Sequence, residues 1–322
     1  MHAPAFAPSR QRLGGSPRCV AYAIRLAMAW AASAWPGIAC AHVIDPSAPP
    51  PSWLSWSFDP LVLSALAASL ALYALGYRQL RWRSRAGARV PRDRQAAAFL
   101  GGWALLVVAL VSPLDALGGA LFSAHMIQHE LLMIVAAPLL VLGRPLGAWM
   151  WALPPRWRKA IGTAVRWRPL KAAWRGITAP AGAWLLHAAA LWLWHVPALF
   201  QLALLHPSVH TLQHTSFLAS ALLFWWTIFR HPGGAAMLSL FTTMVHTGAL
   251  GALLTLAPGL WYPLYVEPSA ALGFDALQDQ QMGGLVMWVP GGIAYLVSAL
   301  AMAARWLDER NAATATPSTG AP

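Results

Sequence analysis

Seven runs of about twenty predominantly apolar residues follow one another along this chain, at roughly 57–77, 95–112, 123–142, 180–200, 210–229, 235–257 and 283–304. At ~1.5 Å of rise per residue each is long enough to cross ~30 Å of hydrocarbon as a helix. Backbone donors and acceptors inside lipid must pair within their own segment, so open sheet is excluded. The expected fold is therefore all-α: a polytopic membrane helix bundle of about seven transmembrane helices over 57–307. Composition agrees, since 58% of residues are hydrophobic and only 10% charged, against about 25% charged in soluble domains. So little charge could not cover a water-facing surface. A soluble enzyme, a disordered chain and a nucleic-acid reader are all excluded.

The net charge of +12 invites a nucleic-acid reading until the charges are placed. Arg10, Arg12, Arg18 and Arg25 lead into an apolar run ending at Ile38, and Ala39-Cys40-Ala41 has the small-residue pattern of a cleavage site. Residues 1–41 therefore read as a secretory signal. An uncleaved anchor or lipidation at Cys40 are the alternatives. Cleavage would remove both cysteines, Cys19 and Cys40, and with them any thiol chemistry. Of the other 18 basic residues, seven lie between Arg78 and Arg94 and eight between Arg144 and Arg175; the rest are Arg230, Arg305 and Arg310. All follow an odd-numbered run or precede an even-numbered one. The opposite loops hold Asp45, Asp59, Asp115, Glu267, Asp275 and Asp279. Positive loops stay inside, so the expected N-terminus is outside and the C-terminus cytoplasmic. An outer segment, 42–56, would precede the bundle, and a disordered cytoplasmic tail, 308–322, would follow it. Arg156 to Arg175, rich in Trp, Arg and Lys, reads as a helix lying on the lipid surface.

Histidine is the residue type that bears on chemistry. His125 and His129 open the third run, and His210 and His214 open the fifth. Both pairs are spaced i,i+4, so each shares one helix face with ~6 Å of axial separation. Both runs enter from outside, which sets the pairs at matched depth, and His195 at the outer end of the fourth run joins that layer. Ionisable groups at membrane depth are costly and usually face a functional interior. Neutral imidazole ligates copper, zinc and iron, and thioethers favour Cu(I). The candidate metal ligands are thus His125, His129, His195, His210 and His214. Glu130, Gln213, Asp279, Gln280 and Met282 are candidate supporting groups, with Asp279 or Glu130 expected to orient ring N–H groups. A single intramembrane histidine is more often a structural hydrogen-bonding residue between helices than a ligand, and His187 and His246 are read nearer to that role. Met126, Met244 and Met282 are near enough in sequence to offer a soft ligand, although Met126 and Met282 read mainly as packing. His42 would become a chelating N-terminus only if cleavage follows Ala41.

Three stretches then carry a resemblance: SAHMIQHELLMIVAAPLLVLGRPL (123–146), LWLWHVPALFQLALLHPSVHTLQHTSFLASALLFWW (191–226) and DQQMGGLVMWVPGG (279–292). Together, in this order and spacing, they resemble the CtaG family of cytochrome c oxidase assembly factors, over roughly the whole span region. The resemblance implies a bacterial inner-membrane protein that helps to build an active haem–copper oxidase through copper handling. Its partners would be oxidase subunits and other copper chaperones. The family's histidine positions fall on His125, His129, His195, His210 and His214, and its Asp-Gln element on Asp279 and Gln280. Gln213 stands where an acidic residue is common in the family, and Glu130 where an apolar one is.

A non-enzymatic copper-binding assembly factor is therefore the leading expectation. A haem-binding or electron-transfer protein with histidine axial ligands is the main alternative. A proton- or metal-coupled transporter is a third, although the chain shows no inverted repeat.

Overall fold

The structure, a computed structural model, describes residues 54–315. The expected signal (1–41), both cysteines, His42, most of the outer segment and residues 316–322 of the expected tail lie outside the described residues. All the regular structure described is helical. In chain order the helices are α1 (Pro60–Arg83), α2 (Arg89–Val111), α3 (Pro113–Gly118), α4 (Phe122–Gly143), α5 (Pro145–Ala152), α6 (Pro155–Ala164) and α7 (Arg168–Ile177). There follow α8 (Pro180–His195), α9 (Pro197–Leu205), α10 (Pro207–Arg230), α11 (Gly234–Thr255), α12 (Val266–Ala271) and α13 (Ala276–Ala315). The last of these extends beyond Asp308, into the stretch expected as tail.

Proline sets the divisions. Pro60, Pro113, Pro145, Pro155, Pro180, Pro197 and Pro207 each stand at the first position of a helix, where the missing N–H has no intrahelical partner to lose. Asp59 adds a side-chain cap to α1, accepting from the N–H groups of Leu61 and Val62 at 2.7 and 3.1 Å. Pro197 also changes the expected fourth run: 180–200 is one apolar stretch in sequence, yet the helix stops at His195 and restarts as α9. The ring cannot donate and clashes with the preceding turn.

Five helices among the described residues are long and apolar enough to cross a membrane: α1, α2, α4, α11 and α13. The expectation was seven. α8 has 16 residues, about 24 Å of helix, and bends by 69° from α7. α10 has 24 residues but spends its first turns on His210, Gln213 and His214.

Apolar packing forms three cores. Tyr73 stacks on Phe99 with centroids 3.7 Å apart, joining α1 to α2 in a cluster that includes Leu132 and Leu140 of α4. Phe217, Phe224 and Trp225 of α10 pack with Leu240 and Tyr295. The third core, Phe122, Met126, Phe200, Leu250, Leu254, Tyr262 and Tyr265, lies beside the histidines. α11 and α13 approach so closely that a Cβ on Gly284 would lie 2.6 Å from the Thr255 nitrogen. Within α4, Leu131–Ala136 is π-helical; such a turn leaves a carbonyl poorly matched, and Trp225 donates to that of Met133 at 2.9 Å. Large apolar side chains remain exposed around the girth, among them Leu185, Leu238, Phe241, Ile293 and Val297. In water such a surface would aggregate; in a bilayer it is the lipid-facing wall.

Candidate metal centre

The two histidine pairs sit at the same offset from their helix starts: His125 and His129 on α4, which begins at Phe122, and His210 and His214 on α10, which begins at Pro207. Where α4 and α10 face one another, the four rings form one cluster. Centroids are 4.3 Å apart for His125–His129, 4.1 Å for His210–His214, 5.6 Å for His125–His210 and 5.1 Å for His129–His214. All four side chains are buried. One ligand nitrogen from each of His125, His210 and His214 lies within 4.8 Å of the other two. Ligands at ~2.0–2.1 Å around one tetrahedral ion stand about 3.4 Å apart, so small side-chain rotations close the triad around a cation.

His129 adjoins this triad, its ring 4.5 Å from that of Phe217. Both its nitrogens are buried and neither has a hydrogen-bond partner among the described residues. Leaving two such atoms unsatisfied costs about 1–3 kcal/mol each, a cost that an ion or a shared proton relieves. His195, at the end of α8, borders the cluster through Phe200 and Phe217. Its Nδ1 faces the Leu191 carbonyl at 2.6 Å. A carbonyl only accepts, so Nδ1 carries the proton and the lone pair resides on Nε2, which is buried without a partner among the described residues.

The expected supporting groups are placed less uniformly. Asp279 does not reach an imidazole. Its carboxylate accepts from the Phe122 N–H at 2.6 Å and from the N–H and hydroxyl of Ser123. It thus caps α4 from across the bundle and sets negative charge at the helix's positive end. That offsets a partial charge which would otherwise disfavour a cation one turn further in. Gln280 accepts from the Trp261 N–H at 2.7 Å and so ties the loop between α11 and α12 to α13. Gln213 is fully buried beside the cluster, and neither its Oε1 nor its Nε2 has a hydrogen-bond partner among the described residues. Glu130 lies on the other side of α4, against Gly291. Met282 is 54% exposed and not part of the cluster, while Met126 is fully buried in the apolar core.

The other intramembrane histidines are held differently. His187 meets Ser220 Oγ at 3.1 Å and Tyr295 Oη at 3.4 Å, which matches a structural hydrogen-bonding role. His246 accepts from the Trp192 indole at 3.3 Å.

Sequence reasoning passed over a further layer. Tyr265 donates to the Gly118 carbonyl at 3.0 Å and lies 3.4 Å from His125 Nδ1. Tyr262 donates to the His195 carbonyl at 2.8 Å. Burial pushes both phenols well above their ordinary value, so they remain protonated donors. Gln128 donates to Asp115 at 2.6 Å and to the Ala109 carbonyl at 2.7 Å, fixing the rotation of α4 against α2 and α3. The only sequence signal was the burial of polar groups beside a His pair. Loop tyrosines have no periodicity to mark them.

With this geometry in view, the sequence model described as Cytochrome c oxidase caa3 assembly factor (Caa3_CtaG) matches residues 71–309, nearly the whole bundle. The chain belongs to that family. It is also 27% identical over 264 residues to uncharacterized proteins of Mycobacterium bovis and Mycobacterium tuberculosis, and 26% identical over 270 residues to one of Mycobacterium leprae. In each case the match covers 78% of this chain but 39% of the relative. The chain thus spans about two-fifths of the length of those relatives. No solved structure matches.

Proposed function

We propose that this protein assists assembly of a haem–copper cytochrome c oxidase by holding a copper ion and releasing it to an oxidase subunit. Copper here is cargo. His125, His210 and His214 are the ligands, with His129 and His195 adjacent to take the ion in or pass it on. The convergence of three imidazole nitrogens within 4.8 Å in a buried site is the observation that carries the reading. An all-nitrogen donor set suits copper and zinc better than hard cations. Nothing in the arrangement pairs a nucleophile with a base and a substrate cleft, which favours a carrier over an enzyme.

The same reading sets the seven-span topology in a bacterial inner membrane, with α8 and α10 added to the five helices that are long and apolar enough to cross. The basic loops face the cytoplasm, and the histidines face outward, where the accepting subunit and other copper chaperones would dock. Support comes from the charge asymmetry of the loops. The haem alternative fares worse, since axial imidazoles bind opposite faces of a macrocycle and here the rings of His129 and His214 are already in contact.

Metal analysis of the purified full-length protein, loaded with copper and washed, tests the site. The expected result is about one copper per wild-type chain and loss of most of it in His210→Ala and His214→Ala variants that retain wild-type helicity. Equal copper in all three overturns the ligand assignment. Deletion of the gene should lower oxidase activity and restore it partly on copper addition; unchanged activity and an unchanged oxidase spectrum would count against the assembly role.

A further inference from the structure

At the basic end of the bundle, away from the histidines, a cavity of about 390 Å³ opens between the last turns of α1, the first turns of α2 and the α4–α5 turn. Tyr73, Tyr77, Arg92, Gln95, Arg144 and Trp151 are among its walls. The charge around it is one-sided. Asp93, beside Arg92, is already engaged by the Tyr77 hydroxyl at 2.6 Å and by Arg81, which reaches both its oxygens at 3.0 Å. Arg92 spends its Nε on Ser84, which leaves the two terminal nitrogens of its fork to other acceptors. Arg83 and Arg158 both lie over the Trp151 ring, at 5.1 and 4.5 Å, and add positive charge at the rim.

Arg144 is held there by an uncommon backbone. Among the described residues it alone has positive φ without being glycine, at φ 49° and ψ 52°. A residue with a Cβ is strained in this region, and the surroundings hold it there: Tyr73 donates to the Gly143 carbonyl at 2.9 Å, and a Cβ on Gly143 would collide with Phe99. Strain of this kind concentrates at ligand-binding positions.

We propose that this cavity binds a phosphate group, supplied by an anionic lipid headgroup at the basic face of the membrane. Guanidinium forks match phosphate oxygens in geometry and charge, and basic side chains at a membrane surface draw anionic lipids. Leu80, Ala88 and Pro91, also in the lining, provide an apolar wall for the glycerol and first methylenes. The proposal is independent of the copper reading.

Native mass spectrometry of the full-length protein in detergent tests it, with phosphatidylglycerol, phosphatidylcholine and inorganic phosphate as probes. The variants are Arg92→Gln, Arg144→Gly and both together. Glycine is at ease in the left-handed conformation, so Arg144→Gly removes the guanidinium without threatening the fold, which circular dichroism checks. Phosphatidylglycerol should be retained about tenfold better than phosphatidylcholine. Each substitution should weaken it roughly fivefold and the double variant about 25-fold. Displacement of phosphatidylglycerol by inorganic phosphate at equal concentration keeps the phosphate site and assigns it to a soluble source. Equal retention of the two lipids, or undiminished retention in folded Arg144→Gly, overturns the proposal.

Discussion

His129 and Tyr265 show how single residues shape the site from opposite directions. His129 has two buried nitrogens and no hydrogen-bond partner among the described residues, whereas Tyr265 is fully committed at the edge of the same cluster. Tyr265→Phe is expected to lower stability by about 1 kcal/mol through the lost hydrogen bond. The same phenol gives a pH dependence whose sign follows from its raised value. Below pH about 10 the folded and unfolded chains both keep the proton; above it the unfolded chain ionises first, so stability falls as pH rises. Thermal unfolding between pH 8 and 11 should therefore show a shallower alkaline loss in Tyr265→Phe than in wild type. Asp279→Ala removes the acceptor for three donors at the start of α4 and should cost about 0.5–2 kcal/mol. Copper content should drop along with the unfolding temperature. A fall in one without the other would separate capping from ligand placement.

At the scale of elements, close approach between helices is what the glycines permit. A Cβ at Gly284 would meet the Thr255 nitrogen at 2.6 Å and the Gly251 carbonyl oxygen at 2.7 Å, while one at Gly292 would meet nothing within 4 Å. Gly284→Ala is thus expected to destabilise by about 1–3 kcal/mol and Gly292→Ala to be neutral or mildly stabilising, as read by thermal unfolding in detergent. The helical class and the histidine pairing were legible in sequence because both rest on spacing: runs of about twenty apolar residues and two i,i+4 pairs. The break at Pro197 was not, since apolar residues continue on both sides of it and hydropathy does not register a missing N–H. Nor was the π-helical stretch Leu131–Ala136, whose Met133 carbonyl is met by an indole 92 residues further along the chain. Asp279 was picked out as a supporting group, but its partners lie 156 and 157 residues away, beyond the reach of local pattern.

Across the whole molecule, charge and polarity are segregated. The basic loops gather at one end with the arginine-lined cavity, and the histidines gather near the other, beneath the loop carrying Tyr262 and Tyr265. If the basic end is cytoplasmic, alkaline phosphatase fused after Gly259 will be active and a fusion after Gly233 inactive. A fluorescent protein at the C-terminus will then glow in intact cells. The reverse pattern would invert the topology and move the histidine cluster to the wrong side for the proposed transfer.

The cap on α4 also has a consequence in time. The carboxylate that anchors the start of this helix comes from a residue synthesised 157 positions later than its partner Phe122. At roughly 5–20 residues per second, the interval is roughly 8–30 s. During it α4 is already made but its first turn lacks its permanent anchor, and the loop bearing Tyr262 and Tyr265 has yet to be pinned by Gln280. Arrival of the first turn of α13 is therefore the event that anchors the turn of α4 carrying His125.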